Sequence, residues 1–365
     1  MSFDVFLIKT MTKIDHINEK AKSPCEQRCS HNIWYFLFFL LVFFPGFRDP
    51  YIVGIDSENY WEFFVSVQDI DIWDSNFEIG YTLLNQILSQ VFDNQYAYSI
   101  FFPVALISVG LCLRFFKKYS VSLLFSVILF ILMRFYDLHF SAMRQVIAIG
   151  FILLSYDYII RKKIVCYLLT ILIAASFHKS AIIFAPFYLI NYIKLPKLTA
   201  KTSAIMFIII LLCLQPLKWI IFTFLSNVSW FNSYLLYFEN DYFSSGIGTV
   251  FIFLLTMAVF LIATFYSKCP NCSEMKIREQ HIFSYAVFVG IVILEISIVV
   301  AQLERIAQYF LQPLCIIVVN SLLSNKKYMV LLSVIIVLLI SYITIHYLKD
   351  GWVKIYPYSL SLKRS

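Results

Sequence analysis

Charge is what this chain has least of. Only 14% of its 365 residues are Asp, Glu, Lys or Arg, while 61% are hydrophobic. A soluble domain carries about 25% charged and about 45–50% apolar residues, so this composition excludes an ordinary water-facing globule. Glycine is also scarce, with 9 residues in the whole chain. The chain has no phosphate-cradling Walker loop, no dinucleotide fingerprint and no H-E-x-x-H metal motif, which excludes the common nucleotide-driven machines and zincins. Few glycines also means few of the interrupted helices that many transporters use at a midplane site. No internal repeat or low-complexity tract is visible.

What is present is apolar sequence in long continuous runs, with a mean hydropathy of +0.79. In lipid every backbone group must be bonded internally, so only helices or closed barrels span. The runs lack the alternation of a membrane barrel strand. They predict an all-α, polytopic integral membrane protein. The net charge of +7 then reflects positively charged inner loops, and no nucleic-acid partner is expected. The first thirty residues are polar and the first apolar run lacks a small-residue cleavage site, so residues 1–31 read as a cytoplasmic tail, not a signal peptide. Eight cysteines include the close pairs Cys25/Cys29 and Cys269/Cys272. Neither pair has a second pair nearby to complete a zinc site, so they read as free thiols and no metal is expected.

Basic clusters at Arg114–Lys118, Arg161–Lys163, Lys194–Lys201, Lys268–Arg278 and Lys326–Lys327 divide the chain. Placed inside, they predict about 11 spans (10–12), near residues 32–47, 96–116, 120–135, 142–160, 164–177, 180–193, 203–223, 247–267, 282–301, 305–323 and 328–347. These form a single transmembrane domain over residues 32–347, with a tail at 348–365 on the outside. The stretches 164–177 and 180–193 are short, about 21 Å each as α-helix, so the turn between them should lie below the outer surface. Ser180 is the expected N-cap of the returning helix and Pro186 its bend. An acidic outer loop, 48–95, ends in residues 77–92, whose Phe77, Tyr81, Leu84, Leu88 and Val91 share one helical face. Thr82, Asn85, Gln86, Ser89 and Gln90 lie elsewhere, which predicts an amphipathic helix at the outer interface. A second outer loop covers residues 225–246.

Ionisable residues beside spans are expensive and therefore candidates for function. Four clusters qualify. "FRDPYIVGIDSENYWEFF" holds Arg48, Asp56 and Tyr60, and "RFYDLHFSAMRQVIAIGF" holds Arg134, Asp137, His139 and Arg144. "SFHKSAIIFAPFYLI" holds His178 and Lys179, and "QLERIAQYF" holds Glu304, Arg305 and Tyr309. The span order places all four on the outer side. Arginine forks, a histidine and a lysine facing one cavity suit a diphosphate. Plainer readings accompany each cluster: Arg134 snorkels, Glu304 and Arg305 cap a helix, His178 serves a turn, and Asp69, Asp71 and Asp74 are solvated.

Together these pieces resemble the EpsG-like family of bacterial exopolysaccharide polymerases, which includes some Wzy-type O-antigen and capsule polymerases. The resemblance rests on "FRDPYIVGIDSENYWEFF", "FEIGYTLLNQIL", "SAMRQVIAIGFILLS", "ASFHKSAIIFAPFYL" and "ERIAQYF", in order over residues 32–325. It implies a GT-C-like fold in the bacterial inner membrane with the active site facing outward. It sets Arg48, Gly54, Asp56, Tyr60, Glu78, Arg144, Gln145, His178 and Arg305 on recurrent family positions. "RDPYIVG" departs from the pattern by about one residue before the Gly-x-Asp, which loosens the match at Arg48. The implied substrate is an oligosaccharide on polyprenyl diphosphate within the bilayer, with a flippase and a chain-length regulator as pathway partners and no cofactor.

In the implied reaction, a growing glycan leaves its lipid diphosphate for the non-reducing sugar of an incoming unit. Arg144, Arg305 and His178 or Lys179 would stabilise the leaving diphosphate, and Asp56 or Glu78 would take the acceptor proton. Asp56 is favoured because it lies beside Arg48 and ahead of a sugar-stacking pair, Tyr60 and Trp61. Gln145 and Tyr309 complete the substrate-binding set. Two other functions fit the same composition: a flippase of lipid-linked glycan, or a membrane acyltransferase with His178 as base.

Overall fold

The computed structural model describes residues 24–93, 95–225, 247–267, 274–298, 303–323, 328–348, 354–355 and 358–360. Most of the outer loop 225–246, Cys269 and Cys272, the N-terminal tail to residue 23, Lys326–Lys327 and most of the tail beyond 348 lie outside these residues. The described chain is helical and contains no strand; an isolated bridge pairs Arg48 with Leu360.

Fourteen α-helices are described. They are α1 (Pro24–Gly46), α2 (Ser57–Ser66), α3 (Ile79–Val91), α4 (Tyr98–Tyr119), α5 (Leu123–Leu132), α6 (Leu138–Ser141), α7 (Met143–Ile160) and α8 (Ile164–Phe177). After a 3₁₀ helix, Lys179–Asn191, come α9 (Ala200–Leu225), α10 (Ile247–Tyr266), α11 (Glu274–Ile296), α12 (Leu303–Leu311), α13 (Leu314–Leu323) and α14 (Met329–Leu348).

Among the described residues, α4, α7, α11 and residues 248–266 of α10 are long and apolar enough to cross a membrane. The pair α12–α13 makes a fifth if its 42° bend is counted within one span. Three of the expected spans differ in form, two of them by breaking and the third, 180–193, by its helix type. Residues 120–135 become the ten-residue α5 followed by a turn, in which Arg134 takes a left-handed φ of 63°. Residues 305–323 break at Gln312–Pro313, where proline has no N–H to continue the ladder.

Helix α7 is the hub. It is apolar nearly all round, and 78% of its span is buried in the protein, as expected of a helix with no solvent or lipid face. It packs on α4, α8 and the 3₁₀ helix. Rings from Phe115, Tyr156, Phe283, Phe184 and Phe310 meet edge to face or tilted, so the core joins α4, α7, α11, the 3₁₀ helix and α12.

The return after α8 is not an α-helix. Its 13 residues form a 3₁₀ helix, which rises about 2.0 Å per residue and so covers about 26 Å. This is more reach than the same residues would have as an α-helix. Ser180 is not its cap. His178 holds that position in an extended conformation (φ −154°, ψ 111°), and its N–H donates to the Ala174 carbonyl at 3.0 Å.

The α3 segment is apolar on more than its expected face, of which Tyr81 is buried and Val91 exposed. Thr82, Asn85 and Ser89 are buried, whereas Ile79, Leu83, Ile87 and Val91 are exposed. Leu84 and Leu88 do pack on the core, with Phe77. The buried polar groups are bonded locally: Thr82 to the Ser75 hydroxyl at 2.8 Å and Asn85 to the Tyr81 carbonyl at 2.7 Å. The row left outside is therefore apolar, the arrangement expected beside lipid, not water.

The two ends of the bundle differ in chemistry. At one end Asp157 of α7 accepts from Arg114 at 3.0 Å, Lys118 at 2.6 Å and the Tyr119 hydroxyl. Arg144 lies 13 residues earlier on α7, about 20 Å away along the axis. All four clusters picked out in the sequence gather at the Arg144 end. The C-terminal residues return there too: Asp49 donates to the Ser359 carbonyl at 2.9 Å and Gly54 to that of Lys354 at 2.9 Å.

Candidate active site

The site is assembled around Glu78, the residue just before α3. Its backbone is extended and its side chain is 8% exposed. Arg144 Nη1, from the first turn of α7, donates to Glu78 Oε2 at 2.5 Å. His178 Nδ1 lies 3.2 Å from Oε1, and the Lys179 backbone N–H donates to the same oxygen at 3.1 Å. Both carboxylate oxygens are thus engaged by groups 66 to 101 residues away. Burial alone would raise the Glu78 carboxyl. The hydrogen bonds from His178, Lys179 and Arg144 outweigh it and hold the group down at about 2.

Gly80 makes this junction possible. A Cβ there would lie 2.4 Å from the Ser176 hydroxyl, 2.8 Å from its carbonyl oxygen and 2.9 Å from its carbonyl carbon. Only glycine lets the start of α3 sit this close to the end of α8, where His178 follows.

Arg144 is sandwiched by aromatics as well. Its guanidinium carbon lies 4.6 Å from the Phe77 ring centre and 6.0 Å from that of Tyr60, within cation–π range. Its Nε is buried without a hydrogen-bond partner. Burial raises the Tyr60 hydroxyl, against which Arg144 acts by charge and hydrogen bond; Asp56 raises it further and Arg305 lowers it.

Helix α12 brings the fourth cluster. Gln145, next to Arg144, donates through Nε2 to the Arg305 carbonyl at 2.5 Å. One turn on, the Tyr309 hydroxyl meets Ser180 Oγ at 2.8 Å. These two contacts hold α12 against α7 and the 3₁₀ helix. The Arg305 side chain is exposed and has no acidic partner among the described residues. Glu304 and Gln308 sit on the neighbouring face of α12. There they line a cavity of about 70 Å³ with Arg134, Asp137 and Tyr342. Arg134 pairs with Asp137 at 2.8 Å and so does not snorkel.

The structure separates the remaining expected residues from this cluster. Arg48 is 1% exposed. Its Nε donates to Ser57 at 2.8 Å, its Nη1 to the carbonyls of Pro45 at 2.5 Å and His139 at 3.3 Å, and its guanidinium lies over Phe101. It staples the loop after α1 to α6; its Nη2 has no hydrogen-bond partner among the described residues but is buried, so no edge of the guanidinium is open to substrate. Trp61 is 1% exposed and stacks on Phe64, while Tyr60 is 5% exposed. The pair therefore cannot offer ring faces to a sugar. Lys179 serves the site through its backbone N–H, and its side chain is exposed. Asp56 precedes α2 without a side-chain cap bond and makes no ion pair with Arg48 or Arg144 among the described residues. Gly80 was not marked by the sequence, and Phe77 and Ser180 entered only as a helix-face residue and an expected cap; their signal as site residues is adjacency to Glu78 and His178 in "FEIGY" and "FHKS".

These features define a helical membrane protein with a buttressed, cation-rich polar site at one end of its bundle. The model of the EpsG family matches residues 31–360; the chain belongs to this family of membrane proteins of polysaccharide biosynthesis. No curated protein and no solved structure matches it.

Proposed function

We propose that this protein is a polysaccharide polymerase, acting on O-antigen, capsule or exopolysaccharide units. It transfers a growing glycan from polyprenyl diphosphate to the non-reducing end of an incoming lipid-linked repeat unit. The reaction takes place on the outward face of the bacterial inner membrane, in a GT-C-like fold of about 11 spans. Family membership supports the pathway.

The observation that carries the reaction is Arg305. It is an exposed arginine with no acidic partner among the described residues, held by its own carbonyl on Gln145, beside the Arg144 that Glu78 anchors. An unpaired guanidinium next to a fixed one is what a leaving diphosphate needs, since its charge grows as the glycosidic bond breaks. The energy of that bond drives the transfer, so no nucleotide is consumed.

The test is glycan analysis of cells carrying Arg144→Ala or Arg305→Ala. Both proteins should insert and accumulate normally, while the long-chain ladder collapses to a single repeat unit on its lipid acceptor. Normal ladders in both variants refute the proposal. Accumulation of lipid-linked units on the inner leaflet would instead indicate flipping, and loss of an acyl group with full ladders would indicate acyl transfer.

A further inference from the structure

Transfer of a glycan to a hydroxyl releases a proton that some group must accept. Glu78 is poorly placed for this, because Arg144, His178 and the Lys179 N–H already occupy both of its oxygens. These contacts also hold it near 2, where a carboxylate is a weak base.

His178 has the opposite arrangement. An ionised carboxylate can only accept, so the ring nitrogen facing Glu78 carries its hydrogen on Nδ1, and the lone pair of the neutral ring lies on Nε2. Among the described residues nothing pairs with Nε2. The side chain is 23% exposed, so it is open to a reactant yet held on one edge. The backbone fixes the ring further through the His178 N–H to Ala174 and the Ala181 N–H to the His178 carbonyl at 2.9 Å. Of the ionisable groups on the elements packed here, Glu78 ahead of α3 contacts the ring, Arg144 of α7 shares that carboxylate, Lys179 follows on its own segment, and α12 carries Arg305 and Tyr309, the latter bonded to Ser180.

We propose that His178 Nε2 is the general base of the transfer and that Glu78 is its positioning residue; this rests on the polymerase reading above. The acceptor hydroxyl oxygen attacks the anomeric carbon of the donor sugar. The bond from that carbon to the diphosphate oxygen breaks, and its electron pair stays on the diphosphate. The hydroxyl proton passes to His178 Nε2, the imidazolium is held by Glu78, and the proton then leaves to water. Donor and acceptor supply every atom of the products.

The experiment uses the full-length protein in phosphatidylethanolamine–phosphatidylglycerol vesicles. The substrate is polyprenyl-diphosphate-linked repeat units extracted from a strain that lacks the polymerase. His178→Gln, which retains much of the side-chain volume, should lower turnover by about 10²–10⁴-fold with KM for the lipid-linked unit little changed. His178→Gly should fall as far and regain about tenfold with added imidazole, a rescue that a packing role does not give. Glu78→Gln should lower kcat, and Glu78→Asp should restore part of it.

Near-normal turnover in His178→Gln, or a folded His178→Gly that imidazole does not rescue, overturns the assignment while leaving the polymerase reading intact. If His178→Gly does not fold, the glutamine variant decides alone. If the wild-type protein makes no polymer from these units, the polymerase reading falls and the base assignment with it.

Discussion

Replacing Gly80 with alanine tests whether the Glu78 contacts depend on the spacing between α3 and α8. The new Cβ would stand 2.8 Å from the Ser176 carbonyl oxygen and 2.9 Å from its carbon, where ordinary contact begins at 3.4 Å. The serine hydroxyl, at 2.4 Å, can rotate away by giving up its bond to the Ile173 carbonyl. The backbone atoms cannot, so α3 must back off by about 0.6 Å. The Glu78 contacts to His178 and Lys179 start at 3.2 and 3.1 Å. The same displacement carries them past the range in which hydrogen bonds are effective. Misplacement on this scale costs up to about 10²-fold in rate.

The control is Gly248→Ala on α10, where a Cβ meets nothing within 4 Å. There alanine should be neutral or stabilise by up to about 1 kcal/mol through helix propensity. The assay is turnover of lipid-linked units in vesicles beside thermal unfolding in detergent. Gly80→Ala should lose at least tenfold in turnover while still folding. Wild-type turnover in Gly80→Ala would refute the claim that the α3–α8 spacing positions Glu78.

Two further outcomes follow from the charge clusters. Asp157→Asn leaves Arg114 and Lys118 without their shared carboxylate and should destabilise the protein by about 3 kcal/mol; an unchanged unfolding midpoint in detergent would contradict the clamp. Glu78 contributes through a carboxyl lowered in the folded state to about 2 from an ordinary 4.5. Its contribution is therefore complete above pH 4.5 and is lost as pH falls through about 2. The gap in unfolding midpoint between wild type and Glu78→Gln should shrink as pH falls below 4.5; a gap that stays constant from pH 4.5 down to pH 3 would count against the contacts drawn for Glu78.

The class of this protein was legible in its sequence because low charge and long apolar runs leave only lipid as a partner, and lipid admits few folds. The candidate site was half legible. Arg144, His178 and Arg305 stood out because charge beside a span is costly wherever the chain goes. The basic loops also ordered the spans well enough to put these residues at one end. What the sequence by itself could not determine was pairing. Sequence order favoured Asp56 over Glu78 as the carboxylate of the site, and only the tertiary structure put Glu78 within reach of Arg144, His178 and the Lys179 N–H, across 66 to 101 residues of chain.

Faces were undetermined for the same reason. Periodicity says which residues of α3 lie together, but not whether the apolar row meets protein or lipid, since both welcome it. Trp61 stacks on Phe64 of its own helix, and whether its other face stays open to a sugar depends on which helices cover it; here they leave it 1% exposed. The backbone form of the 3₁₀ return likewise depends on its surroundings: Ser180 bonds to Tyr309, 129 residues away, instead of capping its own helix. Local sequence carries the cost of each residue in lipid, while contacts between distant segments decide which of those costly groups meet.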